Sequence, residues 1–186
     1  MSCNKLLREA LDGMDSFDVI NEWTTSSSNI VRSYLDKGSH EKLDEFFKKE
    51  KPTYEYNSYR YGTVDKDLGL KKGDLVENPF PFATSKDQDL IEVFKGYSRR
   101  RASRPKENKR LVKYHIDNSE VPQYDISDVN SLEKEVIVKP KSKFIVKDTY
   151  EDDGVLNVVL KSTKSDGQTK KLLGLAGGLN SINEDN

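Results

Sequence analysis

The chain has 186 residues, and its 31 Lys and Arg residues nearly balance its 32 Asp and Glu residues. Hydrophobic residues make up only 34% of the chain, so we expect a small core in one domain of ordinary size. Its longest apolar run is far shorter than the ~20 residues that span a bilayer, which predicts no membrane contact. The N-terminal residues include no apolar core of a signal peptide, so we expect a cytoplasmic protein.

Cysteine and histidine are scarce, which limits the kinds of site that the chain can build. Cys3 is the single cysteine, so an intrachain disulfide is excluded. Cys3, His40 and His115 are too few for the usual four-ligand zinc site, and the sequence therefore predicts no metal.

The first fifty residues predict helices. Apolar residues from Val19 to Leu35 recur at spacings of three and four, which is the period of a helix with one buried face. The stretch 24–28 consists of Thr and Ser, which form helices poorly, so we expect a break there. Gly38 should end the helix as a left-handed cap, and a short third helix should run from Ser39 toward Pro52.

From residue 53 onward the predicted elements are mainly strands. The expected strands are 53–61, 80–85, 111–116, 132–138, 143–147 and 155–161, with a hairpin turn at 152–154. We expect one more helix over 87–97 and loops over 65–79 and 117–130. Helices followed by mainly antiparallel strands predict an α+β fold.

The predicted domain organisation is simple. One domain covers residues 1–164, with a helical part at 1–52 and a β-rich part at 53–164. The glycine-containing segment 165–186 shows little alternation, and we expect a flexible C-terminal tail there.

Residues 99–110 form a basic segment, RRRASRPKENKR, with seven basic residues and one acidic residue. We expect a surface loop. It is open whether the loop is merely solvated or binds an anion, such as a nucleic acid, a nucleotide phosphate or an acidic partner. Arg99, Arg100 and Arg101 are the residues that would make such a contact.

Two glutamates lead the predicted strand 132–138. Side chains two residues apart share one face of a strand, so Glu133 and Glu135 should point the same way. Two neighbouring carboxylates suit acid–base chemistry. On an exposed strand, however, such a pair more often faces solvent, so its meaning depends on the motifs around it.

Four motifs follow one another in a recognisable order. They are Arg60 in Tyr-Arg-Tyr-Gly, Thr84 and Ser85 in Phe-Ala-Thr-Ser, the aromatic Phe94, and Glu-Lys-Glu at 133–135. This order resembles the Arg / Ser-Thr-Ser / Glu-x-Glu class of mono-ADP-ribosyltransferases. The class includes clostridial-type actin-modifying toxins and the small arginine-modifying transferases of T4-like bacteriophages, which the chain resembles most in size. The resemblance implies an ADP-ribosyltransferase-like fold with a split β-sheet and NAD as substrate.

The resemblance covers residues 17–161 and implies a role for each matching position. Glu135 is expected to be the catalytic carboxylate, Glu133 to hold and help deprotonate an acceptor arginine, and Arg60 to brace the site and the NAD phosphates. Glutamate at the first position of the pair goes with arginine acceptors in the class. The expected NAD contacts are Arg60, Thr84, Ser85, Phe94, Asn29 and Trp23.

Position 83 departs from the class, because alanine stands where a serine usually helps to orient the catalytic glutamate. We therefore expect another group, Ser85 or a tyrosine, to replace that hydroxyl beside Glu135.

The implied activity is transfer of ADP-ribose from NAD to arginine side chains of host proteins, with release of nicotinamide, in the host cytoplasm. Expected partners are host proteins with accessible arginines, such as RNA polymerase or translation proteins. Three alternatives stay open: an NAD glycohydrolase with water as acceptor, a non-catalytic binding module that uses residues 99–110, and a structural component of a phage particle.

Overall fold

The computed structural model describes residues 16–54, 57–66, 68–103, 108–128 and 134–171. These ranges contain four helices, which are α1 (Ser16–Ser26), α2 (Ser28–Lys37), α3 (Glu41–Lys49) and α4 (Gln88–Ala102). They also contain nine strands, which are β1 (Ser58–Asp65), β2 (Leu75–Glu77), β3 (Phe82–Ser85), β4 (Lys109–Asp117), β5 (Gln123–Asp125), β6 (Glu135–Val138), β7 (Lys143–Asp152), β8 (Val155–Thr163) and β9 (Lys170–Lys171).

All nine described strands belong to one sheet, in the order β5-β6-β3-β1-β4-β8-β7-β2-β9. Two neighbouring pairs are parallel, β4 with β8 and β2 with β9. The other pairs are antiparallel. Helices followed by a mainly antiparallel sheet confirm the predicted α+β class.

The N-terminal helices follow the predicted pattern. The break falls at Ser27, which separates α1 from α2. Gly38 has φ 72°, and its N–H donates to Tyr34 O, so it ends α2 as a left-handed cap. The third helix starts after His40, whose ring nitrogen accepts a hydrogen bond from the Leu43 N–H at 3.3 Å.

The helices cover two faces of the sheet. Helices α1 to α3 bury apolar side chains such as Val19, Ile30 and Leu43 in a core shared with Phe82 and Tyr114 of the sheet. Helix α4 lies on the other face, where a smaller cluster contains Tyr61, Ile91, Leu111 and Val155. Alternation along β4 explains the division, because Leu111 and Tyr114 point to opposite faces.

Several predicted boundaries are wrong. Strand β1 begins at Ser58 rather than Thr53, which forms only an isolated bridge with Gln123. Two short strands, β2 and β5, lie within the segments 65–79 and 117–130, for which the sequence predicts loops. Both consist of three residues, which is too short for alternation to identify.

The basic segment is not a single surface loop. Helix α4 runs to Ala102, so Arg99, Arg100 and Arg101 lie in its last turns, while Lys109 and Arg110 begin β4. Residues 104–107 lie outside the described ranges. The Arg99 guanidinium is 3.2 Å from Asp153 Oδ2, in the turn between β7 and β8.

The C-terminal strands form the predicted hairpin, in which Asp153 and Gly154 take positive φ angles of 48° and 71°. Within the segment predicted as a tail, Lys170–Lys171 form β9 beside β2, and residues 172–186 lie outside the described part of the chain. Among the described helices, none has the length and apolar character that crossing a membrane requires.

Candidate functional site

Three neighbouring strands bring the main candidate residues together. In the sheet, β3 lies between β1, which carries Arg60, and β6, which begins with Glu135. Ser85 on β3 is the register partner of both Tyr59 and Glu135. Directly opposed residues have neighbouring Cβ atoms, so Ser85 lies beside Glu135.

The Arg60 side chain crosses from β1 to the backbone of β3. Its Nη1 donates a hydrogen bond to Ala83 O at 2.6 Å, and the side chain is half-buried. A guanidinium has five N–H donors in a planar fork, which suits it to bind phosphate oxygens as well as to brace a backbone carbonyl. Arg60 thus fixes a cationic group close to the strand that faces Glu135.

The Glu135 carboxylate is buried and receives a hydrogen bond from Trp23. Both residues are only 4% exposed, and Trp23 Nε1 donates to Glu135 Oε1 over 2.6 Å. Trp23 belongs to α1, so the N-terminal helical layer reaches the first residue of β6. A hydrogen bond from a neutral donor to an ionised carboxylate is shorter and stronger than a neutral one.

Thr84 and Ser85 are both buried, and both form hydrogen bonds, within the sheet or with the turn that follows β3. Thr84 Oγ1 donates to Val136 O at 3.2 Å, which ties β3 to β6. Ser85 Oγ accepts a hydrogen bond from the Asp87 N–H at 3.1 Å. Asp87 in turn accepts hydrogen bonds from the Asp89 and Leu90 N–H groups and so caps α4.

Lys134, just before Glu135, is held in a strained backbone conformation. Its φ is 45°, in the left-handed region that residues with a Cβ seldom adopt. Its carbonyl accepts the Lys86 N–H at 3.2 Å, and its Nζ lies 2.6 Å from Asp87 Oδ2. The hydrogen bond from Lys134 lowers the pKa of Asp87. A second ion pair, Lys86 with Asp125 at 2.6 Å, links the same turn to β5.

Tyr114 lies beside Arg60 on the same face of the sheet. The two residues are register partners on β4 and β1. Tyr114 is fully buried, and its hydroxyl has no hydrogen-bond partner within the described ranges. Burial raises the pKa of this tyrosine, and the positive charge of Arg60 opposes the rise.

The structure places two of the remaining predicted residues elsewhere. Asn29 is exposed on α2, and Phe94 is 36% exposed on α4, the helix on the other face of the sheet. Glu133, the predicted acceptor-side glutamate, lies outside the described residues. The structure therefore puts Trp23 and Ser85 next to Glu135 and Arg60 and Thr84 on the adjacent strands β1 and β3, but it does not bring Asn29 or Phe94 there.

Sequence reasoning missed two features of the site. It assigned Trp23 to the NAD contacts and did not link it to Glu135, although a buried indole N–H needs an acceptor and thus signals a polar neighbour. It also missed Lys134 and Asp87, which fix the backbone next to Glu135; no local pattern identifies such an ion pair. Among the described residues, no group of His, Cys, Asp and Glu side chains is placed to hold a metal ion.

Comparison with known proteins gives matches to solved structures only. No protein-family model and no curated protein sequence matches the chain. The ADP-ribosyltransferase Vis from Vibrio splendidus, solved in complex with agmatine, has a TM-score of 0.64 at 16% identity, covering 92% of this chain and 91% of Vis. C3stau2 from S. aureus, solved with NAD, has a TM-score of 0.58 at 14% identity, covering 87% of this chain and 92% of its own.

A third match extends the comparison to another bacterium. Exoenzyme S from Pseudomonas aeruginosa, in complex with human 14-3-3 protein beta and carba-NAD, has a TM-score of 0.58 at 14% identity, covering 82% of this chain and 77% of its own. At these identities the similarity is one of fold. The chain therefore has the α+β fold of bacterial ADP-ribosyltransferases.

Proposed function

We propose that this protein is a mono-ADP-ribosyltransferase that moves ADP-ribose from NAD to arginine side chains and releases nicotinamide. The observation that carries the proposal is the placement of Arg60, Ser85 and Glu135 on the adjacent strands β1, β3 and β6, with the Glu135 carboxylate buried. The fold supports it, because the structural neighbours with this fold include enzymes solved with NAD and with carba-NAD.

In the proposed reaction, the bond between nicotinamide and the ribose C1′ breaks, and its electron pair leaves with nicotinamide. Positive charge develops on the ribose as in glycoside hydrolysis. The Glu135 carboxylate, held away from water, favours that charge more than it favours the neutral ribose of the ground state. The Arg60 guanidinium binds the phosphates of NAD and so orients the substrate.

Arginine is the acceptor that the glutamate pair suggests. A guanidinium attacks poorly while it is charged, so a base must take its proton as the new N–C1′ bond forms. We assign that role to Glu133, two residues before Glu135. Agmatine, which is bound to Vis, carries a guanidinium group, and this chemistry agrees with a guanidinium acceptor here.

We infer that the acceptors are proteins of a host cell, in its cytoplasm, as for the phage transferases that the sequence resembles. RNA polymerase and translation proteins are the candidates of first choice. Arg99, Arg100 and Arg101 at the end of α4 offer positive charge to an acidic or nucleic-acid-bound target.

One incubation tests the proposal directly. The purified protein receives NAD labelled on its adenylate half, with agmatine and separately with bacterial lysate. We expect label on agmatine and on lysate proteins, and its release from proteins by a hydrolase specific for ADP-ribosyl-arginine. Intact NAD in all reactions would refute the proposed enzyme activity. Label recovered only as free ADP-ribose would show that the protein is a glycohydrolase.

Variants of the glutamates sharpen the result. Glu135→Gln should reduce both NAD cleavage and transfer at least about 100-fold, since it removes the charge that stabilises the transition state. Glu133→Gln should lose transfer to agmatine while keeping NAD cleavage. Glu41→Gln, at an exposed position on α3, is the matched control and should leave both rates unchanged.

A further inference from the structure

We propose that Trp23 is the positioning residue of Glu135: its indole N–H holds the carboxylate in the orientation that the transfer reaction needs, in place of a serine hydroxyl. The inference rests on the proposed function, in which Glu135 is the catalytic carboxylate. It differs from the sequence-based expectation, which assigned Trp23 to the NAD contacts.

The contact has the geometry of a strong and fixed interaction. The Trp23 Nε1 to Glu135 Oε1 distance is 2.6 Å, and both residues are 4% exposed. A buried carboxylate without hydrogen bonds is costly, and water has little access to compete with the indole for this oxygen. The Trp23 N–H therefore restricts the rotation of the Glu135 side chain.

The position of the missing serine supports the same role. Ala83 has no hydroxyl, and its register partner on β6 is Ile137 rather than Glu135. The backbone carbonyl of Ala83 instead accepts a hydrogen bond from the Arg60 guanidinium. Position 83 thus supports Arg60, and the side of Glu135 that faces α1 is occupied by Trp23.

The chemistry of indole suits the task. An indole N–H only donates, so it can pair with the ionised carboxylate but cannot accept the proton of a neutral carboxylic acid. Its ring is rigid and is packed by α1, whose neighbouring residues Val19 and Ile20 are buried in the main core. Trp23 therefore fixes the direction of the Glu135 carboxylate.

The first experiment reads the contact without any activity. Trp23 is the only tryptophan of the chain, so a ¹H–¹⁵N spectrum contains one indole N–H signal. A hydrogen bond to a carboxylate moves that proton downfield. We expect Glu135→Gln to move the signal upfield, and Glu41→Gln to leave it in place. An indole signal at the same chemical shift in wild type and Glu135→Gln would overturn the inference, whether or not the protein cleaves NAD.

The second experiment separates positioning from binding. Trp23→Phe keeps an aromatic ring but removes the donor, and we expect kcat to fall about 10- to 100-fold, the loss that corresponds to one hydrogen bond to a charged group. The KM for NAD should stay within about threefold of wild type, because the change does not remove an interaction that binds ground-state NAD. A raised KM with unchanged kcat would instead make Trp23 an NAD contact and refute its positioning role.

A matched variant controls for general damage to the helical layer. Tyr34 on α2 is also buried, and its hydroxyl donates to Asp44 Oδ1 at 2.5 Å. Tyr34→Phe removes a comparable hydrogen bond that does not involve Glu135, and it should keep kcat within about threefold of wild type. An equal loss in Tyr34→Phe and Trp23→Phe would show a structural effect and overturn the inference. If wild type does not cleave NAD, the proposed function fails and the indole signal alone decides the contact.

Discussion

Glu92→Gln should destabilise the fold, because it removes the counter-charge of a buried ammonium group. Lys113 Nζ lies 2.8 Å from Glu92 Oε1 and 5.3 Å from the centre of the Tyr61 ring. The Tyr61 hydroxyl donates to the same carboxylate at 3.0 Å. These three side chains attach α4 to β1 and β4.

The unequal exposure of the two charges sets the size of the effect. The Lys113 side chain is 8% exposed, whereas that of Glu92 is 44% exposed. Removing one partner of a fully buried pair costs about 3–5 kcal/mol, and an exposed pair contributes only about 0–1 kcal/mol. Because solvent screens the carboxylate but not the ammonium group, we expect Glu92→Gln to lose about 2 kcal/mol. For a chain of this length the Tm then falls by about 4–8 °C.

Removing the lysine of this pair should destabilise the fold less than removing the glutamate. Lys113→Met keeps the buried alkyl stem and leaves Glu92 in contact with water, so it should cost less than about 1 kcal/mol. The double variant should resemble Lys113→Met alone, because the charge that Glu92 neutralises is gone. Urea denaturation of the four proteins at pH 7 measures these differences. A loss in Glu92→Gln no larger than in Lys113→Met would refute the reasoning.

The pH dependence offers an independent check on Glu92. Burial opposes ionisation of this carboxyl, but hydrogen bonds from Lys113 and Tyr61 outweigh burial, so its pKa lies below the ordinary 4.5. A lowered pKa gives stability that is present above pH 4.5 and is lost as the pH falls through the lowered value. The difference in the free energy of unfolding between wild type and Glu92→Gln should therefore become smaller at acid pH.

Two further predictions concern the backbone and a second carboxylate. Gly38→Ala forces a side chain into φ 72° and should cost about 1 kcal/mol in thermal unfolding. Gly96→Ala lies inside α4, where the new Cβ meets no atom within 4 Å beyond the adjoining helix backbone, and should stabilise the fold by about 0.5–1 kcal/mol. A loss of stability in both variants would contradict the conformational explanation. Burial opposes ionisation of Asp125, but the hydrogen bonds from Lys86 and Ser127 together outweigh burial and lower the pKa of Asp125 below 3.8. Asp125→Asn should therefore lose less stability than wild type when the pH falls from 6 to 3, and equal losses would count against this ion pair.

The helical layer could be predicted from the sequence because its signals are local. The helical period, the Thr and Ser break and Gly38 each act within a few residues. Strand β1 could not be placed in the same way, since the Tyr-rich stretch favours strand throughout its length. Its bounds come from pairing with β4, from Ser58 with Ile116 to Asp65 with Lys109. Such a register is a tertiary property.

The site shows a similar division. The order of motifs along the chain singled out Arg60, Ser85 and Glu135, and the structure puts their strands side by side. The hydrogen bond between Trp23 and Glu135 joins residues 112 positions apart, and no spacing rule encodes a contact over that separation. The alanine at position 83 signals that something must replace a hydroxyl, but it does not say what.

The position of β8 in the sheet has a consequence for the order of folding during synthesis. Strand β8 lies between β4 and β7 and so joins two groups of strands, β5-β6-β3-β1-β4 and β7-β2-β9. A nascent chain that ends before Val155 already contains Arg60 and Glu135 but lacks the strand that unites the groups. Non-local pairing of this kind forms late. During synthesis, the sheet that carries the candidate site is therefore complete only after β8 has emerged from the ribosome.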